Sequence, residues 1–132
     1  MYEARTFTIP TLEGISEESV KQHIGLYQGY VKNFNAMTDA ATALMPEGEK
    51  NALAITELWR RRSFEFGGMR LHELYFEQLE GGATTPDAAH PFWEQVKKEF
   101  PMGGAGQPET LLKNIASTRG PGWAILYFRS EE

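Results

Sequence analysis

The stretch GGMRLHELYF, residues 67–76, sets one histidine in the middle of an apolar pattern. Outward from His72, steps of three and four reach Phe66, Met69, Phe76 and Leu79, the repeat of a helix face turned toward a core. The pattern runs from about Glu49 to Leu79, where Gly81 and Gly82 stop it, and predicts one long helix. The internal Gly67-Gly68 pair costs about 1 kcal/mol per glycine relative to alanine. That cost predicts that a partner helix comes close to the backbone at this point.

A partner is available upstream. FTIPTLEGI, residues 7–15, reads as extended chain fixed by its proline. Ser16 then fits an N-cap, with Glu17 and Glu18 in the first turn where the helix dipole favours negative charge. A helix to about residue 45 follows, with a stripe of Val20, His23, Tyr27, Tyr30 or Val31, and Phe34. MPEGEK, residues 45–50, breaks it, and so short a link predicts that the two helices pack antiparallel. His23 lies near the start of the first helix and His72 near the end of the second, so the two imidazoles fall at adjacent levels across the seam. Two readings stay open: core histidines bonded to a backbone carbonyl or a tyrosine, or a pair of ligands for iron, manganese or zinc held on rigid rods.

Composition removes other chemistries. The 132 residues suit one domain's worth of core, and the absence of cysteine excludes disulfides, thiolate metal sites and cysteine nucleophiles. A basic leader and a long apolar run are both missing, which predicts a soluble, cytoplasmic chain with no membrane partner. A formal charge of -5 argues against nucleic acid, whose phosphates call for a basic surface. The triplet Arg60-Arg61-Arg62 is read as a solvated helix face or as contacts to acidic neighbours.

Beyond the hairpin, TTPDAAHP is a loop with a solvated His90, PFWEQVKKEF a short amphipathic helix, PMGGAGQP a plain loop and PETLLKNIAST a further helix. Glu73 and Glu77 stand near His72, but the facing Glu-x-x-His pairs of a two-metal bundle are missing. After RGPG comes WAILYF, residues 123–128, a run of strand-forming residues. A lone strand leaves its backbone donors and acceptors unmet, so this segment calls for partner strands from another polypeptide, a symmetric copy, or a longer version of the same chain.

FTIPTL, SVKQHIGLYQGYVKNFNA, GGMRLHELYF and RGPGWAILYF together resemble, in this order, the iron/manganese superoxide dismutases. The resemblance runs nearly end to end but covers only about the first two-thirds of such an enzyme. The family's remaining two metal ligands belong to an Asp-x-x-x-His motif with no counterpart in this sequence. It implies a mostly α fold: a long antiparallel helical hairpin over residues 1–82, then the start of an α/β domain with an incomplete sheet over residues 83–132. It also implies one iron or manganese ion, superoxide as substrate, and a homodimer or a complementing chain that carries Asp-x-x-x-His.

Carried over by position, His23 and His72 are the metal ligands. Tyr30 matches the gateway tyrosine, Tyr27 stands where many members have a channel histidine, and Trp123, with Phe76, joins the aromatic wall. Met69 departs from the glutamine of many iron enzymes, which leaves the metal preference open. The family usually has eight residues from ligand to tyrosine, whereas His23 to Tyr30 is seven; an ungapped match puts Gln22 in the ligand's place. Helix geometry favours His23, since seven steps of about 100° return a side chain to within roughly 20° of its starting direction and eight overshoot by about 80°. The resemblance implies a dismutase centre needing completion by a second polypeptide or segment. The alternative is a non-catalytic relative of the same fold, an interaction module whose histidines are merely core.

Overall fold

The computed structural model describes residues 1–85, 87, 89–100 and 107–127. The chain divides into two compact units, Met1–Ala83 and Thr84–Glu132.

In the first unit, helix α1 spans Glu17–Leu44 and helix α2 spans Ala52–Leu79, joined through a short 3-10 turn, Met45–Glu47. Ser16 caps α1 by accepting a hydrogen bond from the Ser19 amide at 3.1 Å. Helix α2 begins three residues later than Glu49, and Gly81 and Gly82, both at positive φ, turn the chain away from its end. The helices pack antiparallel: Phe34 meets Phe66 (ring centroids 5.7 Å apart), the Tyr30 ring lies on Gly68, and His23 meets His72. The core cluster is Tyr27, Val31, Met69 and Phe76, with Phe7, Ile9 and Ile24 packed against it.

The extended segment before α1 lies along this hairpin and is tied at several points. The Tyr2 amide donates to Asn35 Oδ1 and Asn35 Nδ2 donates back to the Tyr2 carbonyl, both at 2.8 Å. The Arg5 amide donates to the Tyr27 hydroxyl oxygen, and the Thr8 amide donates to Glu80 Oε1, each at 2.8 Å. Phe7 stacks against Tyr27 and Phe76 at 5.6 and 5.1 Å.

Two readings of the α2 face need correction. Phe66 is 41% exposed, and the neighbouring Glu65 takes its place inside at 1%. Of the glycine pair, only Gly68 is closely approached, by Tyr30; nothing lies within 4 Å of a Cβ built at Gly67. The arginine triplet divides its partners: Arg60 pairs with Glu57, Arg61 with Glu65, and Arg62 donates to Thr38 Oγ1 while lying over Phe34 and Trp59.

The second unit holds helices α3, Pro91–Glu99, and α4, Gln107–Ala116. His90 is exposed and also caps α3, its Nδ1 accepting from the Phe92 amide at 3.2 Å. Trp93 donates its indole N–H to the Asp87 carbonyl. The expected strand is not formed over residues 123–127, and among the described residues the only β pairing is an isolated bridge between Leu12 and Ile15. A strand exists only with a neighbour to share its hydrogen bonds, and the described residues offer none. Of the expected loop PMGGAGQP, residues 101–106 lie outside the described residues, as do Phe128 and the ending RSEE, and Gln107 and Pro108 already belong to α4.

Candidate metal centre

His23 and His72 face each other across the helix seam, their ring centroids 4.8 Å apart and their planes 77° from parallel. That separation is within the span of one shared cation, whose bonds to imidazole nitrogen are about 2 Å long. Gln22, about 100° round the helix from His23, is exposed, with its amide donating to Glu18 Oε1 at 3.1 Å. The seven-residue spacing in an unbroken helix thus turns His23 inward together with Tyr30.

The ring of His72 is anchored. Its Nδ1 is 2.7 Å from the Gly68 carbonyl oxygen. A carbonyl can only accept, so a proton sits on Nδ1; in the neutral ring that leaves the lone pair on Nε2, the tautomer in which a histidine binds a metal while its other nitrogen is fixed by the backbone. His23 is held below the usual imidazole pKa, first by burial and then by the neighbouring His72, which favours the neutral ring that coordination needs.

An aromatic cage surrounds the pair. Phe76 stands 5.1 Å from His23 and 6.2 Å from His72, Tyr75 lies 5.0 Å from His23, and Tyr30 lies 5.1 Å from His72. An open cleft of about 470 Å³, lined by Ser16, Ser19, Val20, His23, Tyr75 and Phe76 among others, leads to His23.

Of the expected site residues, the first unit brings together His23, His72, Tyr27 and Tyr30. Tyr27 is fully buried, and its hydroxyl is engaged: it donates to Glu73 Oε1 at 3.0 Å and accepts from the Arg5 amide. Burial pushes its phenol above the usual value, opposed by the Arg5 amide and reinforced by Glu73. Trp123 belongs to the second unit, where it is half-buried.

Two carboxylates are buried against expectation: Glu65, which the sequence reading passed over, and Glu73, which it placed near His72 without expecting it to be buried. Glu73 accepts from Tyr27 and is paired with Arg70, and Glu65 lies 2.7 Å from Arg61 Nε. The Glu65 contact is an ion pair without an aligned hydrogen bond, since its Oε1 has no hydrogen-bond partner. Their signal was present in the spacing: the steps 65, 69, 73 and 76 are as helical as those through Phe66, and arginines stand four residues before Glu65 and three before Glu73.

The donor set fits a metal ion in kind but falls short in number. Among the described residues, no group of three or more His, Asp or Glu side chains converges on one point.

The chain is 35% identical over 121 residues to the iron superoxide dismutase of Aquifex aeolicus, a match covering 87% of this chain and 54% of that protein. The same identity and coverage hold for the iron superoxide dismutase of Aquifex pyrophilus, and that of Cupriavidus metallidurans is 28% identical over 118 residues. The chain is a relative of the iron/manganese superoxide dismutases. It spans about half the length of the curated dismutases it matches. No family model and no solved structure matches it.

Proposed function

We propose that this chain supplies two imidazole ligands, His23 and His72, to an iron or manganese superoxide dismutase centre, and that a complementing polypeptide or a further segment carrying Asp-x-x-x-His completes it. The observation that carries the reading is the meeting of two inward histidines, one from each helix, with the His72 ring anchored by Nδ1. The iron dismutases among its relatives support the same activity.

When bound, such an ion supplies one-electron cycling between its +2 and +3 states, by which one superoxide becomes dioxygen and a second, taking up two protons, becomes hydrogen peroxide. The chain's own residues set the conditions. The Gly68 carbonyl keeps the His72 proton on Nδ1 and so aims Nε2 at the ligand position. Tyr30, against the His72 ring, is the group we assign to hold and pass a proton at its hydroxyl oxygen. Phe76 and Tyr75 exclude water from the sides of the pair, and the cleft beside His23 admits a small anion.

The test is metal content and superoxide dismutation of the purified chain, alone and mixed with a polypeptide bearing Asp-x-x-x-His. The expected result is weak iron or manganese uptake alone, activity on mixing, and loss of both in His72→Ala. The second reading, an interaction module without metal, is favoured by the lack of a third converging donor among the described residues. It predicts no metal in either protein, with His72→Ala lowering stability only, and that outcome would overturn the first.

A further inference from the structure

The buried carboxylate beside His72 has no part in ligation, yet it is the centre of a polar cluster. Glu73 is 1% exposed. Its Oε1 accepts from the Tyr27 hydroxyl, and its Oε2 is paired with Arg70 on the same helix. Tyr27 is one helical turn after His23, and Glu73 directly follows His72, so this hydrogen bond joins the two helices next to the point where the imidazoles meet. The Tyr27 oxygen also takes the Arg5 amide, while the Arg5 side chain pairs with Glu77, one turn beyond Glu73. Phe7 then packs on both Tyr27 and Phe76, and Phe76 packs on both histidine rings.

We infer that Tyr27 and Glu73 form a positioning clamp that holds His23 and His72 at one level across the helix seam, and that the segment around Arg5–Phe7 closes over the clamp and transmits it to the imidazoles through Phe76. The inference rests on the metal-centre reading for its consequence but not for its geometry. Leucine or phenylalanine at these positions would fill the same space at no desolvation cost, since a buried charged group is expensive unless fully paired. What the polar pair adds is direction: a hydroxyl bonded to a carboxylate fixes the rotation and register of the two helices, whereas apolar contacts tolerate sliding.

The test uses the full chain in two measurements. The first needs no metal: nuclear Overhauser contacts between the ring protons of His23 and His72, compared in the native chain, Tyr27→Phe, Glu73→Gln and the apolar double replacement Tyr27→Phe with Glu73→Leu. The second is cobalt(II) affinity, read from its visible absorption. Glu73→Gln keeps an acceptor for the Tyr27 hydroxyl and should retain the inter-ring contacts and the affinity. Tyr27→Phe should lose the contacts and bind cobalt about tenfold more weakly, the usual scale for a lost outer support. The double replacement removes the stranded carboxylate and therefore folds even if Tyr27→Phe does not; it should lose the contacts at undiminished thermal stability. Unchanged inter-ring contacts in the double replacement would overturn the clamp. Failure of the native chain to bind cobalt through His72 would instead count against the metal reading, leaving the clamp to be decided by the ring contacts alone.

Discussion

A glycine with a tyrosine ring lying on it behaves differently from a glycine facing open space, and α2 carries one of each side by side. A methyl group at Gly68 would overlap the Tyr30 ring. Gly68→Ala should therefore destabilise the chain by about 1–3 kcal/mol, the range for overpacking, and push Tyr30 off the His72 ring. Gly67→Ala meets nothing and should stabilise by up to about 1 kcal/mol through helix propensity. Opposite shifts in thermal midpoint at adjacent positions are the check. His23 gives a pH prediction. Its folded pKa lies below the ordinary imidazole value of 6.5, because burial and His72 disfavour the charged ring. The stability linked to it is present above pH 6.5 and falls as the pH drops toward the folded pKa, where the unfolded chain binds the extra proton. Acid unfolding of the metal-free chain should thus begin at a lower pH in His23→Gln than in the native protein.

At the level of elements, the hairpin was legible because its signals agree: a serine cap, acidic first turn, stripes at three and four, and a double glycine stop. Ser16→Ala should cost about 1 kcal/mol, read by denaturant unfolding, by stranding the Ser19 amide. The facing of His23 and His72 was legible too, since antiparallel packing through a short link leaves little freedom of level. The buried carboxylates were not, because a stripe counted by hydrophobicity chooses Phe66 over Glu65 even when the helical angle serves both. A charged residue goes inside only where partners await it, and Tyr27 reaches Glu73 from another helix, 46 positions away. Nor could a strand-like composition over residues 123–127 become a strand without a partner among the described residues, because β structure is a property of a pair.

For the molecule as a whole, the first unit contains the histidine pair, its cage and its clamp, so these should persist when the second unit is absent. Residues 1–83 expressed alone should keep the helical circular dichroism of the hairpin and the cobalt affinity of the full chain, whereas superoxide turnover, under the proposed function, should require the Asp-x-x-x-His polypeptide. Sedimentation of the mixture, with and without His72→Ala, separates assembly from ligation: the variant should still associate and remain inactive. Among the described residues no helix is long and apolar enough to cross a membrane.

The Arg5 amide is secured by a phenol oxygen belonging to α1, outside any helical or sheet ladder. Its exchange with deuterated solvent therefore reports one side chain's occupancy of one position. A spectrum following that single amide would time the opening of the entry segment from the hairpin independently of global unfolding, and would register one turn from His23 whether an ion settling between the imidazoles slows the protein's breathing.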